Sequence, residues 1–107
     1  MSNKSHISAR LSLQRAFLTH VTRSLRSVSL SVSADQFDLS IQFIYDDTRT
    51  DDELELPSIV AAEVAGDWPD PARVTETILT VPAAESMTHL DWLVYHRCED
   101  GWGNGRC

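Results

Sequence analysis

The stretch Val28-Ser-Leu-Ser-Val-Ser-Ala-Asp-Gln-Phe-Asp-Leu-Ser-Ile-Gln-Phe-Ile-Tyr-Asp-Asp-Thr-Arg-Thr-Asp-Asp-Glu-Leu-Glu55 decides the fold. Val28, Leu30 and Val32 alternate with Ser27, Ser29 and Ser31, and Phe37, Leu39, Ile41, Phe43 and Tyr45 alternate with Asp38, Ser40, Gln42 and Ile44. Successive side chains on a strand point to opposite faces, so a period of two marks strands with one buried and one wet side. The two runs read as an antiparallel hairpin turning through Ser33, Ala34, Asp35 and Gln36, residues that suit a turn without forming the Asn-Gly signature. The hairpin empties into an acidic turn containing Asp46, Asp47, Asp51, Asp52, Glu53 and Glu55.

Outward from this centre, the rest of the chain supplies layers for the hairpin. A helix is expected from Ser8, as N-cap, to about Ser24, with Leu11, Leu18, Val21 and Leu25 as its apolar stripe and Phe17 and Leu13 widening it. After the hairpin, Thr50-Asp-Asp-Glu53 fits a capping box, in which Glu53 reaches back to the Thr50 amide. Pro57 would cost about 3 kcal/mol inside a helix. Either the second helix kinks there, or Thr50 to Leu56 forms a separate turn and Pro57 opens the main helix. Val60, Ala61, Val64 and Ala65 then make a narrow stripe, ended by Gly66 and Trp68-Pro69. Strands are expected at Val74 to Val81 and Leu90 to Arg97, joined by a loop from Pro82 to His89. The fold class is therefore α+β: two helices packed on one face of a four-stranded, mostly antiparallel sheet, in the order α-β-β-α-β-β.

A length of 107 residues accommodates one domain, with an expected ordered core at about 8–97 and a flexible tail at 98–107, where three glycines fall in ten residues. At 42% hydrophobic residues the chain can bury a core without staples. No apolar run approaches the roughly 18 residues a membrane span needs, and Met1 to Ser8 lacks signal-peptide character, which points to the cytoplasm. The net charge of −7 is unevenly placed: residues 1–34 carry Lys4, Arg10, Arg15, Arg23 and Arg26 and no acid, while all 16 carboxylates lie beyond them. Such a field repels nucleic acid and speeds encounter with basic proteins, and it also serves plain solubility.

The residues that would carry a reaction do not assemble on paper. His89, His96, Cys98 and Cys107 lack the paired close spacing of a structural zinc site, so no metal and no cofactor are expected. A nucleophilic Cys98 would want a base and an orienting group, but Asp91 and His96 differ by five positions and point to opposite faces of a strand. Cys98 and Cys107 could close a loop under oxidising conditions, which the cytoplasm does not provide. The carboxylate pairs Asp46–Asp47 and Asp51–Asp52 have no pocket to raise a pKa, and Gly101, Gly103 and Gly105 are not placed between strand and helix to cradle phosphate. An enzyme is not expected, nor is a nucleic-acid or membrane binder.

Ser8-Ala-Arg-Leu-Ser-Leu-Gln-Arg-Ala16, the Phe37 to Asp47 strand with its acidic sequel, Glu63-Val-Ala-Gly-Asp-Trp-Pro-Asp70 and Trp92-Leu-Val-Tyr-His-Arg97 together resemble small immunity proteins of bacterial contact-dependent growth-inhibition and related polymorphic toxin loci. Pro57 and the Cys98 to Cys107 tail depart from that pattern. The resemblance implies a cytoplasmic antitoxin that binds and blocks a cognate toxin domain, often a nuclease with a basic, phosphate-seeking site. Carboxylates can stand in such a site in place of phosphates. Asp46 and Asp47, which the capping box leaves unexplained, are the first candidates for contact, followed by Asp51, Asp52 and Glu55, with Asp35 and Asp38 behind them. The alternative is a small homo-oligomeric interaction domain, a homodimer in the simplest case, associating through its sheet by the Ser27, Ser29, Ser31 and Thr75, Thr77 rows.

Overall fold

The structure, a computed structural model, describes residues 2–33, 38–67 and 73–99, with side chains from residue 10 onward except that of Thr19. Helix α1 runs Ser2–Phe17 and ends in a 3₁₀ turn, Leu18–His20. Strands β1 (Leu25–Val32) and β2 (Asp38–Tyr45) follow, then a 3₁₀ turn at Asp52–Glu55, helix α2 (Leu56–Asp67), and strands β3 (Arg73–Thr80) and β4 (Trp92–His96). The expected order α-β-β-α-β-β holds. No helix among the described residues is long and apolar enough to cross a membrane.

The sheet is mixed, a correction to the mostly antiparallel expectation. Its order is β3-β2-β1-β4. The β1–β2 and β1–β4 pairs are antiparallel, but β2 and β3 run parallel over all eight residues, Asp38 opposite Arg73 through Tyr45 opposite Thr80. The reason is α2: a helix between two neighbouring strands returns the chain to the end where it started, and the second strand then runs alongside the first. Pro57 lies in the first turn of α2, where its missing N–H has no helical partner to lose. The acidic segment before it is a separate turn, the second of the two arrangements expected from the sequence.

Alternation in the hairpin gathers the apolar side chains on one face as the sequence implies. Val28 and Leu30 of β1, with Leu39, Ile41, Phe43 and Tyr45 of β2, join Leu13, Ala16 and Phe17 of α1 and Val60 and Val64 of α2 in one core. Burying each large apolar side chain of this set contributes on the order of 1.5–3 kcal/mol. The stripe expected on α1 is realised only at Leu13 and Phe17. Leu11, Leu18 and Val21 are exposed at 56%, 68% and 40%, while Ser12, Leu13, Ala16 and Phe17 face inward. Phe17 meets Tyr95 of β4 edge-on at 5.7 Å between ring centres, and Ser12 Oγ and Arg15 donate to Asp67 at the end of α2, at 2.9 and 3.2 Å. These contacts set the rotation of the helix. Its start at Ser2 also removes Ser8 from the N-cap position, and Leu25 belongs to β1.

The other face of the sheet is not wet. With β3 and β4 at opposite edges, residues 81–91 must cross the sheet, and they do so over the face away from the helices. Gln42 Nε2 donates to the Thr88 carbonyl at 2.8 Å, while the amides of Leu90 and Asp91 donate to Ser29 Oγ and Ser31 Oγ at 3.0 and 3.2 Å. Ser27 Oγ lies 3.3 Å from His89 Nδ1. Ser27 and Ser29 are completely buried. The serine row is a set of hydrogen-bonding partners for an irregular strap, whose polar backbone could not otherwise lie against a sheet.

Residues 34–37, with Phe37 and Asp35, the Trp68–Pro69 helix end, and 100–107, the greater part of the expected tail with Trp102, lie outside the described residues.

Candidate functional site

The acidic segment leaves β2 at the edge of the core, and its residues divide into those that face in and those that face out. Asp46 faces in. It is 6% exposed, and its Oδ1 accepts from the Thr48 amide at 2.8 Å and the Thr48 hydroxyl at 2.5 Å. Its Oδ2 accepts from Arg97 Nη1 at 2.6 Å. Burial pushes this carboxyl toward the neutral form, but the bonds from Thr48 and Arg97 outweigh it and hold the pKa below the ordinary carboxylate range. Asp46, placed first among contact residues on the sequence, is committed to the protein's own interior.

Arg97 extends this into a network. It donates to Glu99 Oε2 through Nε (3.1 Å) and Nη2 (2.9 Å), and through Nη1 also to the Arg23 carbonyl (2.6 Å). Glu99 in turn takes a two-pronged pair from Arg26, at 2.8 and 2.9 Å. Arg26 sits in the β-bulge between Leu25 and Ser27, its side chain only 4% exposed, and it donates to the carbonyls of Val81, Pro82, Ala83 and Glu85 at 3.0–3.3 Å. The bulge aims a cation at the start of the strap, and the strap's carbonyls and Glu99 satisfy it. Hydrogen bonds from Arg26 first, then from Arg97, hold Glu99 below the usual carboxylate range despite burial.

Glu53 also faces in. Its Oε2 accepts from Thr22 at 2.5 Å and from Ser24 Oγ, and its Oε1 from the Thr50 amide at 3.0 Å. Burial works against its charge, but the Ser24, Thr22 and Thr50 donors prevail and its pKa is lowered. The expected capping box is half realised. Glu53 reaches back to Thr50, while the Thr50 hydroxyl donates to the same carboxylate at 3.2 Å, and the turn so made precedes α2. Tyr45 beneath it is pushed up to about 12 by burial and by the Glu53 charge.

Asp47, Asp51, Asp52 and Glu55 face out, and all four are exposed. Asp51 is fully so, with Arg49 Nη1 3.7 Å from its Oδ1. Asp38 is engaged at the far end of the hairpin by Arg73, at 2.8 and 3.3 Å. Four of the five favoured residues are thus exposed, and Asp46 is not. No group of three His, Cys, Asp or Glu side chains among the described residues is arranged to hold a metal ion. His89 and His96 lie with rings 6.0 Å apart at 66°, and His96 Nδ1 is 2.6 Å from the Arg97 carbonyl, so the pair packs the strap against β4.

The family model of the MafI2 immunity protein matches residues 6–99. The chain belongs to the MafI2 immunity protein family. The match spans every strand of the sheet, α2, α1 from residue 6 onward, and the Arg26–Glu99–Arg97–Asp46 network up to its last residue. No curated protein matches the sequence. Membership in the MafI2 immunity protein family implies a cognate toxin as partner. The network and the bonds of Glu53 to Thr22 and Ser24 escaped the sequence reading. The available signal was an arginine among apolar strand residues at Arg26, and an Arg-x-Glu run, Arg97 to Glu99, closing the last strand.

Proposed function

We propose that this protein is a cytoplasmic antitoxin that neutralises a toxin domain delivered between competing bacterial cells, and that it engages a basic, nuclease-type toxin through Asp47, Asp51, Asp52 and Glu55. The observation that carries this reading is the division of labour in the acidic segment. Asp46 and Glu53 are consumed in fixing its shape, while four neighbouring carboxylates are left exposed on a turn so fixed. A surface of charges held by a rigid support loses less entropy on binding than a mobile one. The family match supplies the partner class, and the outward charge favours a partner with a basic face.

The test is the affinity of the Asp47→Asn, Asp51→Asn, Asp52→Asn triple variant for its cognate toxin domain, measured with protection of cells from that toxin. A loss of about tenfold or more, with an unaltered circular dichroism spectrum, supports the reading. Full affinity in the triple variant refutes this surface. The homo-oligomer alternative loses its serine row, which the strap occupies.

A further inference from the structure

Strands β3 and β4 are the two edges of the sheet, and they differ. β4 has five residues and a register shift against β1 between Val28 and Ser29, two of the ways proteins blunt an edge. β3 has eight residues paired to β2 without a shift. The Val81 amide donates to the Tyr45 carbonyl at 2.8 Å. In a parallel ladder a residue's N–H and C=O point to the same side, and successive residues alternate. Thr75, Thr77 and Leu79, of the same parity as Val81, therefore bond β2. Val74, Glu76, Ile78 and Thr80 turn their N–H and C=O outward, and among the described residues no backbone hydrogen bond takes them. Their side chains carry little that would defend the edge. Glu76 is held by Ser58 at 2.5 Å, Arg73 by Asp38, and Thr75, Thr77 and Leu79 are exposed.

The acidic turn is continuous with this edge. Tyr45 lies opposite Thr80, and Arg49, inside the turn, donates to Thr80 Oγ1 at 2.8 Å. An extended segment laid along β3 therefore passes, at Thr80, the Arg49 side chain whose guanidinium lies 3.7 Å from the exposed Asp51 carboxylate. We infer that the β3 edge accepts a strand of the toxin domain, adding it to the sheet as a fifth strand, with basic residues of that segment reaching Asp47 and Asp51. This rests on the antitoxin reading and gives it a binding mode. Backbone pairing supplies affinity with little demand on sequence, and the acidic turn supplies the charge preference. A second copy would bring another net charge of −7 to the same place, whereas a basic strand is drawn to it.

The experiment is amide hydrogen exchange on the free protein and on its complex with the cognate toxin domain, together with the affinity of Glu76→Pro. Proline at a position whose N–H points to solvent spares the β2 pairing and removes one outward donor. The expected result is fast exchange at Val74, Glu76, Ile78 and Thr80 in the free protein, at least about tenfold slowing in the complex, and a loss of affinity of about tenfold in Glu76→Pro with the odd-numbered amides still protected. A complex that weakens in the Asp47, Asp51, Asp52 variant while these four amides exchange freely overturns the strand inference and leaves the acidic-surface reading standing. Slowing that appears in the free protein and grows with its concentration overturns it in favour of a second copy. Absence of any complex overturns both readings.

Discussion

Arg26 and Arg97 share one carboxylate, and Arg97 carries a second, so that Arg26, Glu99, Arg97 and Asp46 form a chain of alternating charge from beneath the strap to the root of the acidic turn. Removing a single member leaves a buried charge without its partner, which costs far more than the pair is worth against a hydrophobic replacement. Asp46→Ala is therefore expected to destabilise by about 3 kcal/mol in urea unfolding, while Asp47→Ala, one residue on and exposed, changes stability by less than about 0.5 kcal/mol. Equal effects would refute the inward and outward division. The same groups predict a pH profile. Asp46, Glu53 and Glu99 have folded pKa values below their unfolded ones, so their contribution is full above the ordinary carboxylate pKa of about 4 to 4.5 and is lost as pH falls through the lowered values. His89 is shifted the opposite way in effect: burial first, then His96 and Arg26, lower its pKa, so the neutral ring is the folded form. Its contribution is present above about pH 6.5 and declines as pH falls below that, before the carboxylates begin to titrate. Stability should thus fall in two stages on acidification, and His89→Asn should remove the first stage and keep the second.

At the scale of elements, the strap is held by side chains that look as though they belong in water. Ser29→Ala leaves the Leu90 amide against a fully buried position with no acceptor, and is expected to cost about 1–3 kcal/mol in urea unfolding, whereas Ser40→Ala, on an exposed position of β2, costs a few tenths. This pair of residues shows what the sequence could and could not disclose. Alternation at Val28 to Val32 and Leu39 to Tyr45 revealed the hairpin, because a greasy face must be covered by something. It was silent on the other face, since a serine that accepts from a crossing backbone and one that accepts from water obey the same pattern. The α1 stripe held at Leu13 and Phe17 but failed at Leu11 and Leu18 for a related reason. Leu11 and Leu18, and Leu13, Ala16 and Phe17, are both helical spacings, and only contact with Tyr95 and Asp67 chooses between them. Parallel pairing of β3 was legible in principle, from a helix set between two strands, yet the choice of neighbour depends on tertiary contact. Of the acidic segment, the local part was readable: Thr50 and Glu53 do meet. The long-range part was not, because Asp46 finds Arg97 and Glu53 finds Thr22 and Ser24 across intervals that no spacing rule covers.

Over the whole molecule, acid outweighs base, and the excess has two opposed consequences that can be measured on one variant. Net charge of −7 on a small domain repels itself, so neutralising exposed carboxylates should relieve the fold slightly. Against that, Asp51 and Asp52 stand just ahead of α2, and charges at a helix start stabilise by about 0.3–1 kcal/mol when exposed and weakly screened. These terms are of similar size, and the Asp47→Asn, Asp51→Asn, Asp52→Asn variant should keep its unfolding free energy within about 1 kcal/mol of the parent. Association is a different matter. The parent's on-rate for a basic toxin should fall steeply as salt rises, because steering acts over a Debye length of about 10 Å at 0.1 M ionic strength. The variant's on-rate should be lower at low salt and nearly flat in a salt series, converging with the parent at high salt where the charges are screened. Stopped-flow association across that series, run beside urea unfolding of the same two proteins, separates the roles. A variant that unfolds easily yet associates at the parent's rate would mean that the outward carboxylates serve the turn itself. One that folds as well as the parent but has lost its salt dependence would mean that they serve the partner.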